Sequence, residues 1–412
     1  MTCDAVDYQA VAWPRNTPVA ELNWVTSGIS SMSTLFDPIR FGNLSARNRI
    51  VMAPLTRNRA GPKQIPTALM VLYYEQRSSA GLVVSEATQI SAEAQGYLDT
   101  PGIYSDAQLD GWRAVTAAVH AKGGSIVAQL WHVGRISHVS LQPHGQAPVS
   151  STSRRADAKV FTAHGFEAAS KPRALRLDEL PGIVAQFRQA ARNAIAAGFD
   201  GVEVHGANGY LVEQFLRDSI NDRQDAYGGP PENRVRLPME IMNAITEEIG
   251  ADRTGIRLSP VSPVNDARQD SDAQGLFNHF LELLNPLHLA FIAVIEGATG
   301  GARDIAPFDF PALRLRFKRG HKQGAWIVNN GYTRSMALDT VANGAADMVS
   351  FGRPFIGNPD LVNRLRLDEA LRDLDATTLY GGGAAGYTDY SAFTESARAA
   401  TSTHARSIAN AS

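Results

Sequence analysis

The chain has 412 residues, 44% hydrophobic and 19% charged, with a formal net charge of -2. That is enough apolar material for one large α/β domain or two ordinary ones, and the scattered Lys and Arg residues leave no footprint for nucleic acid or an anionic membrane. The single cysteine, Cys3, excludes an internal disulfide and a thiolate metal cluster, in keeping with a reducing cytoplasm, and the longest apolar run, 287–295, is half the roughly 20 residues a membrane-spanning helix needs.

Residues 1–33 are punctuated by Pro14, Asn16, Pro18, Ser27, Ser30, Ser31 and Ser33 and show no sustained period. They are expected to form a flexible extension without the features of a secretory signal, with Met32 a candidate for the true start. From Thr34 onward, short runs rich in Val, Ile and Leu alternate with longer amphipathic stretches, the pattern of repeated strand-helix units around a parallel sheet. Eight strands are predicted, over 49–55, 81–87, 125–131, 201–205, 254–259, 289–296, 325–329 and 348–351. Between them lie predicted helices over 106–121, 178–197, 232–249 and 333–343, several opening on Asp or Thr as N-cap, with Gly123, Gly198, Gly250 and Gly344 closing them. Eight such units predict an α/β fold of the closed (β/α)8 type, the TIM barrel. Residues 36–43 are expected to turn across its N-terminal end as a short cap, and 137–172, rich in Pro, Gly and Ser, to form a lid after the third strand. The barrel is placed at 34–390, with a C-terminal tail over 391–412.

In such a barrel the C-terminal strand ends converge on one face, where chemistry is expected. Thr56 follows the first strand, Glu86 and Thr88 the second, Gln129 and His132 the third, His205 the fourth, Arg257 the fifth and Arg353 the eighth. The fourth strand runs into His205, Asn208 and Tyr210 within six residues, a spacing suited to gripping a carbonyl oxygen and delivering a proton beside it. The alternative is a buried histidine and tyrosine satisfied by backbone groups. The seventh and eighth strands end in Gly331 and in Gly352-Arg353, matching the barrel's usual phosphate site, although tight turns and a salt bridge to Arg353 would account for each alone. Arg257 should face the barrel interior and needs an anionic or strongly polar partner: a flavin ring that becomes negative near N1, or a buried carboxylate such as Glu203 or Glu86. The Gln129 amide can both donate to and accept from a pyrimidine-like edge. No metal site is expected from His132, His138 and His144, which lack carboxylate or cysteine partners. The stretch 381–386 matches a dinucleotide fingerprint formally but lacks the strand and helix that give it meaning.

Five motifs in order, Met52-Ala-Pro-Leu-Thr-Arg57, Ser85-Glu-Ala-Thr88, Gln129-Leu-Trp-His132-Val-Gly-Arg135, His205-x-x-Asn208-x-Tyr210, and Asn221-Asp-Arg-Gln-Asp-Ala-Tyr-Gly-Gly229 with Glu232-Asn-Arg234, resemble the Old Yellow Enzyme family of flavin-dependent ene-reductases over 34–390. The resemblance implies non-covalent FMN in the barrel, hydride taken from NADPH or NADH onto flavin N5, and its transfer to the β-carbon of an alkene conjugated to a carbonyl or nitro group. It assigns Thr56 to the flavin C4 carbonyl, Gln129 and Arg257 to the pyrimidine edge, and Gly331, Gly352 and Arg353 to the phosphate, with Pro54 and Ala87 against the ring. His205 and Asn208 would bind the substrate oxygen, Tyr210 would protonate the α-carbon, and Tyr74, Trp131 and Tyr380 would line the substrate pocket. Thr56 in place of a cysteine sets the chain nearer the yeast and enteric-bacterial branch than the thermophile-like one.

The sequence departs from the family pattern at Pro230, where relatives often carry serine, at Asn208, which is histidine in some, and over 262–274 and Leu379. The expected protein is a cytoplasmic monomer or homodimer whose partners are the nicotinamide and the alkene, with neither nucleic acid nor membrane. A flavin-free phosphate-binding barrel lyase or aldolase, or a noncatalytic flavin-binding protein, are the alternatives.

Overall fold

The computed structural model describes residues 33–320 and 323–392. Met32, the rest of the N-terminal extension except Ser33, and most of the C-terminal tail lie outside the described residues. Eight parallel strands form a ring: β1 (Ile50–Met52), β2 (Leu82–Val84), β3 (Ile126–Trp131), β4 (Gly201–Gly206), β5 (Thr254–Leu258), β6 (Phe291–Ile295), β7 (Ala325–Asn329) and β8 (Met348–Phe351). Each pairs with its successor, and β8 closes on β1 with Val349 opposite Ile50. Eight helices surround them: α1 (Ala68–Gln76), α2 (Asp106–Ala121), α3 (Leu180–Ala196), α4 (Arg236–Ile249), α5 (Ala273–Leu284), α6 (Phe310–Gly320), α7 (Arg334–Ala342) and α8 (Leu361–Leu367). No helix among the described residues is long and apolar enough to cross a membrane.

The expected strands read as continuous apolar runs because both of their faces are buried. Period-2 alternation sends Ile50, Met52, Val83, Ile126, Val202, Ile256 and Ile292 outward against the helices. Val51, Leu82, Val84, Val127, Phe291, Ile327 and Met348 point inward and fill the lower barrel. By the same alternation Gln129, Glu203, His205, Arg257, Asn329 and Ser350 face inward at the top, where the apolar filling ends.

Glycines end four helices as expected, with φ of 70° at Gly123, 87° at Gly198, 91° at Gly250 and 72° at Gly344. The N-cap of α2 is Ser105 rather than Asp106: the Ser105 N–H donates to Gln108 Oε1 at 3.2 Å, so the helix starts one residue earlier than an aspartate cap would set it. Pro230 precedes the short helix Pro231–Arg234 without a side-chain cap.

A hairpin, Ile39–Phe41 with Leu44–Ala46, covers the N-terminal mouth, its Phe41 ring meeting Phe291 edge-on at 6.2 Å. At its tip Gly42 has φ 54°, and a Cβ there would lie 2.4 Å from the Asp252 carbonyl oxygen. Gly42→Ala should therefore lower stability by about 1–3 kcal/mol, through a strained φ and an overpacked backbone contact. Urea unfolding of the variant reads this directly; an unchanged midpoint would refute the plug's tight seat.

Candidate active site

The β4 strand carries His205 as its penultimate residue, and the chain then turns through Asn208 (φ 59°) and Gly209 (φ 73°). The turn is held from below by a fully buried ion pair, Glu213 with Arg217 at 2.8 Å. Glu213 accepts from Ser259 Oγ, and Ser259 Oγ in turn accepts the Asn208 N–H, each at 2.8 Å. The Asn208 carbonyl accepts from Asn265 Nδ2 (2.9 Å), and its Oδ1 accepts from the Thr299 hydroxyl (2.6 Å). With Oδ1 engaged, Nδ2 is the end of the amide left to donate elsewhere.

His205, Tyr210, Trp131 and Tyr97 form one aromatic group. Trp131 stacks on Tyr97 at 5.7 Å and lies near-parallel to His205 at 6.4 Å, while Tyr210 stands edge-on to both Trp131 and His205 at 5.0 Å. The Tyr97 and Tyr210 hydroxyls are 3.1 Å apart. Burial, and secondarily the Arg257 charge, holds the His205 imidazole well below its ordinary pKa, so the ring is neutral at physiological pH. Burial raises the Tyr210 phenol, partly offset by hydrogen bonds from Tyr97 and Asn265, so it keeps its proton.

Two adjoining cavities open beside this group. One, of about 420 Å³, is walled by Thr56, Tyr97, Phe161, Tyr210, Asn265 and Tyr380. The other, of about 460 Å³, is lined by Arg257, Asn330, Gly331, Ser350, Gly352 and Arg353. They share Pro54, Leu55, Arg353 and Tyr380, so they are two ends of one cleft across the strand termini. Arg353 is exposed and forms no ion pair among the described residues, which removes the salt bridge that would have accounted for it without a ligand. Ala87 belongs to the apolar cluster around Trp131. Gln129 is buried, with Nε2 donating to Glu203 Oε1 at 2.7 Å. Arg257 Nη2 donates to Asn329 Oδ1 at 2.7 Å.

Tyr74 does not belong here. It is fully buried on α1, its hydroxyl accepting the Glu86 N–H at 2.7 Å and donating to Glu86 Oε1 at 3.3 Å. The pocket wall expected from it is supplied by Tyr97, in the loop after β2. That position obeys the rule that function follows strand ends, whereas Tyr74 sits on the helix preceding β2. Glu86 likewise faces the Arg57 N–H and Tyr74 rather than Arg257. Asn265, on the divergent 262–274 stretch, and Phe161 and Phe166, on the lid hairpin Lys159–Thr162 and Gly165–Ala168, also reach the cleft. They carry no motif that would have singled them out.

The glycine-rich 381–386 stretch forms a loop that follows Tyr380 directly. Arg57 donates to the Leu379 and Gly386 carbonyls (2.9 and 2.7 Å), and Arg59 to those of Gly383 and Thr378 (3.0 and 2.9 Å). Tyr387 stacks on Tyr73 at 4.1 Å to seat its far end.

The sequence matches the NADH:flavin oxidoreductase / NADH oxidase family over residues 34–371. The chain belongs to this family, the Old Yellow Enzymes. Among its relatives, 12-oxophytodienoate reductase 1 of Oryza sativa subsp. japonica is 45% identical over 367 residues, covering 86% of this chain and 92% of that protein. 12-Oxophytodienoate reductase 2 of Arabidopsis thaliana is 41% identical over 362 residues, covering 86% and 95%. Among solved structures, the old yellow enzyme homologue of Zymomonas mobilis superposes with a TM-score of 0.83 at 44% identity, covering 88% of this chain and 100% of that one. Morphinone reductase in complex with tetrahydroNAD gives 0.82 at 44% identity, covering 88% and 98%. This Old Yellow Enzyme is therefore an oxidoreductase on a TIM barrel, which sets aside the flavin-free lyase and the noncatalytic flavin protein.

In this family member, burial pushes the Glu86 carboxyl up to about 7, against the opposing pull of the Arg57 N–H and guanidinium. In an unfolded chain the same group titrates near 4.5. Between those values the native state holds a proton that the unfolded chain has released, so this contribution to stability falls as pH rises from about 4.5 to about 7 and is constant above. Glu86→Gln removes the slope: relative to the parent, the variant should gain up to about 3 kcal/mol on going from about pH 5 to about pH 8. Urea unfolding at both pH values measures it, and parallel pH dependence of the two proteins would refute it.

Proposed function

We propose that this protein is an FMN-dependent ene-reductase that takes hydride from NADPH, or NADH, and reduces alkenes conjugated to a carbonyl or nitro group, in the cytoplasm. The observation that carries it is a neutral buried imidazole, His205, packed against a protonated phenol, Tyr210, which walls one end of a cleft whose other end carries Arg257 and Arg353. The strand-end face suits FMN: Ser350 Oγ in the cleft, and His205 Nδ1, Trp131 Nε1 and Glu203 Oε2 on the strands beside it, are buried polar atoms without protein partners, and such atoms call for a ligand or water. The Gly331 and Gly352 loops line the cleft beside Arg353, and a Cβ at Gly331 would meet no atom within 4 Å, so an anion can approach the backbone there. Thr56, Gln129 and Arg257 would hold the ring edge, Pro54 and Ala87 its faces, and Gly331, Gly352 and Arg353 the phosphate. When bound, the flavin supplies hydride acceptance from the nicotinamide and hydride donation to the alkene β-carbon.

The protein's own groups then act on the substrate. His205 and Asn208 Nδ2 donate to its oxygen, stabilising the negative charge that grows there during reduction. Tyr210 Oη holds the proton for the α-carbon, and the Tyr97 hydroxyl fixes its direction. Trp131, behind Tyr97 and His205, keeps that end of the cleft dry, and Tyr380 stands at its mouth, 49% exposed. Relatives named for reduction of 12-oxophytodienoate and morphinone support the substrate class.

The purified protein should be yellow, bleach on anaerobic NADPH, and regain its colour when 2-cyclohexenone is added. A colourless protein that cannot be reconstituted with FMN would overturn the proposal. Tyr210→Phe should slow enone reduction by about 10²–10⁴-fold, the usual worth of a positioned acid, while leaving flavin reduction by the nicotinamide near the parental rate. Equal losses in both half-reactions, followed by stopped flow, would exclude Tyr210 as the proton donor.

A further inference from the structure

Glu203 takes no part in the chemistry just described, yet it occupies a costly position. The residue is 1% exposed inside the barrel, where a carboxylate needs partners to offset its lost hydration. Oε1 accepts from Gln129 Nε2 at 2.7 Å, while Oε2 has no hydrogen-bond partner among the described residues. Arg257, the nearby cation, is bonded to Asn329 instead.

The four residues all face into the upper barrel. Glu203 is directly opposite Gln129 across the β3–β4 ladder, and Arg257 opposite His205 across β4–β5. Asn329 is held at both ends of its amide, Oδ1 by Arg257 and Nδ2 by the Ser350 carbonyl at 2.6 Å. Gln129 is held at one end. A primary amide without such a partner can present its oxygen or its nitrogen to a ligand, with opposite hydrogen-bond sense. Glu203 Oε1 accepts here, so the Gln129 amide turns its nitrogen toward Glu203 and its oxygen away.

We infer that Glu203 is a positioning residue: it fixes the flip of the Gln129 amide, so that a defined acceptor, Oε1, stands beside the donors of Arg257 for the polar edge of the bound ring. The inference rests on the FMN proposal. A ring N–H flanked by carbonyls requires one acceptor between donors, and a randomised amide would offer that pattern only part of the time. Glu203→Gln removes the constraint with little change of shape, because a second amide can donate or accept. Glu203→Leu removes the acceptor altogether.

The test is FMN titration of flavin-stripped protein, followed by flavin fluorescence, for the parent, Glu203→Gln, Glu203→Leu, Gln129→Leu and the double variant Gln129→Leu/Glu203→Leu. Each Glu203 variant should bind FMN at least about two-fold more weakly, the loss expected when half or less of the apoprotein carries the competent amide flip. The visible band of the flavin bound to Glu203→Gln should shift, while the unfolding midpoint of its apoprotein stays at the parental value. In the Gln129→Leu background, Glu203→Leu should have almost no further effect, because Glu203 acts through Gln129. Should Glu203→Leu fail to fold, Glu203→Gln still decides by affinity and spectrum. Parental affinity and spectrum in Glu203→Gln, or additive losses in the double variant, would overturn the inference with the FMN proposal intact. A parent apoprotein that binds no FMN would instead overturn that proposal, and this inference with it.

Discussion

The architecture depends on one ladder, the pairing of β8 with β1, in which Val349 lies opposite Ile50 and Phe351 opposite Met52. It joins segments about 300 residues apart, so its loop-closure entropy must be offset by everything packed between. Once the ring is shut, the barrel sheet has no free edge, and each of its strand ends is delivered to one face. That delivery brings Thr56, Gln129, His205, Arg257 and Arg353 together.

Closure also divides the barrel by height. The lower interior is filled with Val51, Val127, Phe291, Ile327 and Met348 and sealed by the hairpin carrying Phe41. The upper interior carries Gln129, Glu203, His205 and Arg257 on the same alternation. Their burial makes the electrostatics decisive: desolvation raises Glu203, and it lowers His205 and Arg257, each further tuned by the charges beside it. A neutral imidazole in this place follows from the dry surroundings, and so does the protonated phenol next to it.

The mouth of the cleft is organised differently, by arginine-to-carbonyl bonds. Arg57 and Arg59 bind the backbone of 378–386 through planar forks, and Arg77 reaches the Phe355, Ile356 and Tyr387 carbonyls. A loop with positive φ at Gly381, Gly382 and Gly386 has carbonyls that no helix or sheet satisfies. The guanidinium groups supply those missing donors and so place Tyr380 over the cleft. Polar clamps of this kind hold a loop in one conformation at a site where apolar packing would fill the cavity itself.

Local features were legible in the sequence because they are written in local chemistry. Apolar runs marked all eight strands, glycines marked four helix ends through their positive φ, and strand termini marked His205, Arg257 and Arg353 as members of one face. The family motifs added the roles expected of them. What could not be read was the choice among chemically equivalent partners. Tyr74 and Tyr97 are both tyrosines near β2, but helix phase turns one into the wall against Glu86, and the loop after the strand turns the other onto Trp131. Glu86 and Glu203 are both buried carboxylates, but only ring geometry sets Glu203 beside Gln129 and near Arg257. Arg57 reads as part of a motif, yet its carbonyl partner Leu379 lies 322 residues away. Period, turn and capping act over a few residues and survive in the sequence, whereas partners are chosen by contacts between distant segments that exist only after the barrel has closed.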